Sequence, residues 1–348
     1  MTPYSEHTVT YTANGDKSIY YIAAGPPDGP LLIFLHGWPG IAKTWMPQLE
    51  TFSSLGFRVV APDMPGYGNS TVTRVIEDYS HETIISGLLA LLTDVGKDDA
   101  IWIGHDWGAG VLSSFVATHP QACKAIVLMC VPYRTIELGL EELVKYVNRD
   151  VYPAEKYPYG QWEYMKFYEE SFERATAFFD ADPGGFLRAL ARKAITAHHS
   201  RPAMTATVLQ DGGWFGGIPN PPPEFHRVPA ADLVLSPELY EELVAAMKKT
   251  GFWAGDAYYM NHARNRAYNI KHTVNNGVLD IPVLFIEAKN DTVCDTYDSR
   301  LAEPMRKYCT RLTEDSIDAG HWVAMEKSAE TNAAMTRWLV EEVAISWP

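Results

Sequence analysis

Cysteine is scarce: four in 348 residues, at Cys123, Cys130, Cys294 and Cys309. None falls in a CxxC pair or in a Cys/His cluster at metal-ligand spacing, which argues against a disulfide scaffold and a structural zinc site. Positive charge is short as well, with 29 Lys and Arg against 43 Asp and Glu and a formal net charge of -14. Phosphate backbones and anionic lipids do not attract an acidic surface, so neither nucleic acid nor membrane is an expected partner. No apolar run approaches the roughly 20 residues that a bilayer-spanning helix needs. The opening MTPYSEHTVTYTANG lacks the basic head and apolar stretch of a secretory signal. A cytoplasmic, reducing location is therefore the expectation, for a monomer or a homodimer.

What remains is ordinary globular material, 47% hydrophobic and 21% charged. HTVTYTA and SIYYIAAG read as two strands around an Asn14-Gly15 turn. LLIFLHG, FRVVAPD, AIWIGHD and KAIVLMCVP are short continuous apolar runs, the pattern of strands covered on both faces. Helical stretches lie among them. HETIISGLLALLTDVG is apolar at Ile84, Ile85, Leu88, Leu89, Leu91 and Leu92 and ends at Gly96, and WGAGVLSSFVATHP is closed by Pro120. Alternating buried strands and helices predict an α/β protein with a mostly parallel central sheet flanked by helices.

From 133 to 273 the buried runs vanish. The segment is aromatic and helical, as in GQWEYMKFYEESFERATAFF and SPELYEELVAAMKKTG. It is broken by residues 211–223, which hold four glycines and four prolines and must be loop. Strand-like order returns with DIPVLFIEAKND and RLTEDSIDAGHW, and a last helix is expected over 326–345. The organisation predicted is an α/β core of residues 1–132 and 274–348 with a helical insertion at 133–273.

The sharpest local signal is Gly104-His105-Asp106-Trp107-Gly108-Ala109, after one strand and before a helix. Small residues two before and two after a central residue are what a strained strand-to-helix elbow requires. The elbow lifts the central side chain to the C-terminal edge of the sheet, at a helix N-terminus that favours an anion. Here that residue is Asp, already ionised at pH 7 and suited to attack on a saturated, electrophilic carbon. The plain alternative is that Asp106 only caps the helix.

Three further loops shift the balance. His36-Gly37-Trp38-Pro39-Gly40 follows a buried strand, where a loop can turn backbone amides toward Asp106. His321 stands after the last strand, and Asp291 just after PVLFIEAK. Nucleophile, acid, histidine is the chain order of the α/β-hydrolase triad. Glu287 and Asp295 are rivals to Asp291 as the acid. The first is still on its strand, and the second lies deeper in the loop. His36 is expected to support its loop together with Pro39, and His105 to pack beneath the turn. Cys294 gains no role from its position in the sequence.

On HGWPG, APDMPGYGNS, GHDWGA, the post-strand Asp291 and GHW, the chain resembles the epoxide hydrolases of the α/β-hydrolase fold, the soluble type above all. The resemblance implies an α/β-hydrolase fold with an inserted helical cap domain, matching the insertion read from the sequence. It also implies that Asp106 forms a covalent ester, which water activated by His321 and Asp291 hydrolyses. The amides of Trp38 and Trp107 would form the oxyanion hole. Two cap tyrosines would hydrogen-bond the epoxide oxygen. Tyr259, in Tyr258-Tyr259-Met260-Asn261 after Gly251-Phe252, matches one of them; Tyr replaces Trp and Met replaces Arg beside it. Tyr164 in Glu163-Tyr164-Met165-Lys166 is the choice for the other, with Tyr168 and Tyr159 as rivals. The substrate implied is a small hydrophobic epoxide, opened with water to a vicinal diol and used in detoxification, with no metal or organic cofactor. Haloalkane and haloacid dehalogenases share the aspartate nucleophile and stand as the alternative. So does a ligand-binding protein with an idle site.

Overall fold

A computed structural model describes residues 4–194 and 200–343. Residues 1–3, 195–199 and 344–348, which include parts of each expected segment and the end of the expected last helix, lie outside the described residues.

Eight strands form one sheet: β1 Ser5–Thr12, β2 Asp16–Ala24, β3 Leu31–Leu35, β4 Arg58–Pro62, β5 Ala100–His105, β6 Cys123–Met129, β7 Leu279–Ala288 and β8 Cys309–Ile317. Their order is β1-β2-β4-β3-β5-β6-β7-β8. The first two pairings, β1 with β2 and β2 with β4, are antiparallel, and all the others are parallel. The antiparallel edge begins as a hairpin. Asn14 and Gly15 take positive φ of 54° and 104°, and Thr12 pairs with Asp16 across them. β3 and β5 are buried along their whole length, so helices cover both faces of the sheet's centre.

The longer helices are α1 Met46–Ser54, α2 His81–Asp94, α3 Trp107–Thr118, α4 Glu163–Ala181, α5 Pro183–Leu190, α6 Pro237–Thr250, α7 His262–His272 and α8 Ser328–Glu342. Local chemistry explains several of their ends. The Ser80 hydroxyl accepts from Thr83 N–H to cap α2. α6 has Ser236 as its cap, Pro237 in its first turn and Gly251 at φ 69° after its end. α1 packs on α8, whereas α2, α3 and α7 pack together.

Between Met129 and Leu279 the described residues form no strand, only an isolated bridge from Arg192 to Leu233. α4 spans the expected aromatic helix but breaks at Ser171, whose backbone is non-helical (φ -141°, ψ 42°). Residues 211–223 are loop apart from a turn at Trp214–Gly217, in which Phe215 and Gly216 have left-handed backbone, and the start of a short 3-10 turn at Pro223–Arg227. No helix among the described residues is long and apolar enough to cross a membrane.

Candidate active site

The chain turns from β5 into α3 at Asp106, whose backbone sits at φ 54°, ψ -124°. Two glycines make the turn feasible. A Cβ at Gly104 would lie 2.7 Å from the Ala109 backbone, and one at Gly108 would overlap the Leu35 carbonyl of β3. Although Asp106 precedes the helix, its side chain makes no capping hydrogen bond. The carboxylate faces away from its own helix, toward the loop after β3.

That loop meets it closely. Trp38 N–H donates to Asp106 Oδ1 at 2.7 Å. A Cβ at Gly37 would collide with the carboxylate, so only glycine lets the strand end approach this near. The Trp38-Pro39 peptide is cis. His36 braces the loop from below: its Nδ1–H donates to the Gly37 carbonyl and its Nε2 accepts from Met64 N–H, both at 2.9 Å. Burial pushes the His36 pKa down to about 4, so the ring is neutral and its tautomer is set by these two bonds. Trp107 is the first residue of α3, where an N–H has no carbonyl partner within the helix.

His321 follows β8 and lies between two carboxylates. Its Nδ1 is 2.6 Å from Asp291 Oδ2, and its Nε2 is 3.6 Å from Asp106 Oδ2. Asp291 Oδ1 accepts the N–H groups of Val293 and Cys294, which aims the other oxygen at the imidazole. The rivals are engaged elsewhere. Asp295 accepts from the amides of Tyr297 and Asp298, and Glu287 from the hydroxyls of Thr296 and Ser316. Burial alone would raise both aspartates and lower the histidine. The charge pairing outweighs it, holding Asp106 and Asp291 below the usual carboxylate range and His321 well above the usual imidazole value.

A cavity of about 570 Å³ opens onto these groups. Asp106, Asp291 and His321 line it together with Trp38, Tyr164, Tyr168, Trp214 and Tyr259. Tyr164 and Tyr259 come from different parts of the insertion, with ring centroids 5.7 Å apart. Burial raises both phenols well above their ordinary pKa, so they are neutral donors at any physiological pH. Tyr168 also reaches the cavity, 4.8 Å from Tyr259 centroid to centroid, and its buried hydroxyl has no hydrogen-bond partner among the described residues. Tyr159 lines a different pocket, with Lys166 and His262.

Some site residues carry no sequence signal. His105 Nε2–H donates to the His321 carbonyl at 2.7 Å, and the Cys130 thiol donates to the same oxygen at 3.2 Å. Burial pushes His105 down to about 4 and the Cys130 thiol up to about 12, so both act as neutral supports of the histidine loop. Cys294 is near the histidine in space as well as in sequence. Its sulfur lies within 4.8 Å of ligand atoms of Asp291 and His321, and the residue lines the cavity. Burial keeps it a thiol. Cys130 directly follows the strand beside β5, whose last residue Met129 pairs with His105, level with the elbow.

Known proteins resemble this chain along most of its length. Epoxide hydrolase A of Mycobacterium tuberculosis (strain ATCC 25618 / H37Rv) is 27% identical over 321 residues, covering 91% of this chain and 92% of that one. Bifunctional epoxide hydrolase 2 of Sus scrofa is 27% identical over 323 residues; this chain spans 53% of its length. The crystal structure of epoxide hydrolase A from Mycobacterium thermoresistibile superposes with a TM-score of 0.75 at 25% identity, covering 97% of this chain and 99% of that one. The model of the alpha/beta hydrolase fold matches residues 30–328, from just before β3 to the start of α8. With six of the eight strands and the insertion inside that match, the chain belongs to the alpha/beta hydrolase fold family.

Proposed function

We propose that the protein is an epoxide hydrolase that opens a small hydrophobic epoxide with water to a vicinal diol, by way of an ester on Asp106. One observation carries the reading: an aspartate at the elbow, paired with His321 and touched by a backbone amide, shares a cavity with two neutral tyrosines. A carboxylate attacks without a base, and an epoxide oxygen needs a neutral donor as its bond breaks. Relatives bearing the name epoxide hydrolase over nine-tenths of the chain support the same reading. Leu190, Met204, Val293, Trp214 and Trp322 give the cavity apolar walls for such a substrate. Residues 133–273 act as the cap.

In the first half, an Asp106 oxygen bonds to one epoxide carbon while that carbon's bond to the ring oxygen breaks, the electron pair staying on oxygen. Tyr164 and Tyr259 donate to that oxygen. Esterification removes the Asp106 charge, one of the two anions holding the proton on His321. The proton His321 sheds balances the one the new alkoxide gains, leaving a hydroxyalkyl ester and a neutral imidazole. In the second half, His321 Nε2 takes a proton from water, and the hydroxide adds to the Asp106 carbonyl carbon. The oxyanion is held by the amides of Trp38 and Trp107, a donor of this kind being worth about 3 kcal/mol. Collapse breaks the ester C–O bond, the diol leaves protonated, and Asp106 and the imidazolium are restored.

The Trp38 indole N–H is committed to Asp256 at 2.9 Å, so it is not free to hold a halide, which favours an oxygen leaving group. The test is one turnover of excess enzyme with a styrene-type oxide in ¹⁸O-water. Label in the peptide containing Asp106, with unlabelled diol, is the expected result. Label in the diol alone would mean direct attack by water. No diol, with halide released from a haloalkane, would make the protein a dehalogenase.

A further inference from the structure

Behind the nucleophile loop lies a carboxyl that this mechanism does not use. Asp256 ends a short helix, Trp253–Asp256, and is wholly buried. Its Oδ1 accepts from the Trp38 indole N–H at 2.9 Å, and its Oδ2 accepts from the Thr176 hydroxyl at 3.0 Å. Among the described residues no basic side chain pairs with it. Burial, helped by Asp180, pushes its pKa well above the ordinary carboxyl value, against the pull of those two donors.

Trp38 thus gives its two N–H groups to two different carboxyls. The backbone N–H goes to Asp106 at 2.7 Å and the indole N–H to Asp256. The aromatic contacts on the indole carry no hydrogen bond. Phe179, Phe186, Phe252 and Tyr259 pack edge-on against it at centroid distances of 5.2 to 6.2 Å. Gly255 lies against the indole, where a Cβ would come within 3.1 Å of Trp38 Cδ1 and 2.6 Å of the Tyr67 hydroxyl. The Asp256 bond is the directional restraint on the side chain whose amide faces the nucleophile. It also ties that loop to the insertion: Thr176 is on α4 with Tyr164, and Asp256 stands three residues before Tyr259.

We propose that Asp256 is a positioning residue, holding the Trp38 indole so that the Trp38 amide points at the oxyanion formed on the Asp106 ester. The inference rests on the epoxide hydrolase reading and adds a residue to it. A displaced oxyanion donor slows the step in which the oxyanion forms, ester hydrolysis, and leaves ring opening nearly as fast. That separates positioning from general loosening of the site.

The experiment compares Asp256→Leu, Asp256→Asn and Trp38→Phe by steady-state kinetics and rapid-quench mass measurement of the ester, with a styrene-type oxide as probe. Asp256→Leu is expected to lower kcat by about tenfold or more, with KM falling alongside and kcat/KM held within about twofold. Ester accumulates on Asp106. Asp256→Asn, which keeps an oxygen acceptor for the indole N–H, stays within about twofold of the wild type in kcat. Trp38→Phe behaves like Asp256→Leu, and the double variant is no slower than either single one. Should Asp256→Leu fail to fold, Trp38→Phe and Asp256→Asn decide alone. Equal losses in kcat and kcat/KM, no excess of ester, or multiplied losses in the double variant would overturn the inference. If the wild type forms no ester at all, the epoxide hydrolase reading falls and this inference with it; ester in the wild type with no accumulation in the variants sinks the inference only.

Discussion

Asp106 sits in left-handed backbone, forgoes the capping bond its position offers, and receives instead the Trp38 amide and the His321 ring. Each of these departures exposes a carboxylate to a substrate rather than to its own helix. The tyrosines on the other side of the cavity are tuned oppositely, held neutral by burial. Replacing Tyr259 with Phe is expected to slow ring opening by about 100-fold, with no build-up of ester, because the loss falls before the ester forms. Tyr164→Phe should do the same, and a rapid-quench time course reads both. An unchanged rate for Tyr164→Phe with a loss for Tyr168→Phe would transfer the role one helical turn along. Asp106, His321 and Asp291 were legible because strand-loop-helix punctuation surrounds them. The Trp38–Asp256 bond was not: 218 residues separate its partners, and a buried Asp beside a Gly looks like any turn residue.

Among elements, the strands were readable because a parallel sheet covered on both faces needs continuous apolar runs. All eight expected strands are present, the antiparallel pair at the edge included. The insertion was harder. The kink at Ser171 in α4 leaves no trace in hydrophobic periodicity, and the cavity-lining residues of that helix, Tyr164 and Tyr168, both precede it. Tyr159 was a plausible donor by sequence and faces another pocket. The elbow is the element on which everything depends, and its glycines are set by contact. Gly108→Ala places a methyl against the Leu35 carbonyl, so it is expected to cost about 1–3 kcal/mol in denaturant unfolding. A variant as stable as the wild type would mean that α3 can lift off β3 freely.

At the scale of the molecule, titration of buried groups sets acid stability. His36 and His105 are pushed down to about 4 by burial, as is His262, and His81 to about 3. Unfolded, each takes a proton below about pH 6.5, so the unfolded chain binds more protons there and stability falls as pH drops from 6.5 toward 4. His321 runs the other way: its raised value contributes stability that is complete below about pH 6.5 and is lost only as pH rises through its folded value. Five lowered histidines, His119 among them, outnumber the buried carboxyls that burial raises the other way, Glu137, Asp63 and Asp256, and predict a Tm that declines between pH 6.5 and 4, measured by thermal melts in matched ionic strength. A flat Tm over that window would show that these rings are already charged in the fold.

The central claim is that Asp106 is the nucleophile and that His321 releases what Asp106 has captured. His321→Gln keeps a side chain able to bond with Asp291 but removes the base. Incubated with a styrene-type oxide and digested, this variant should carry one substrate mass on the peptide containing Asp106 and should release no diol. An unmodified peptide with continued diol formation, or the added mass on any other residue, would contradict the account.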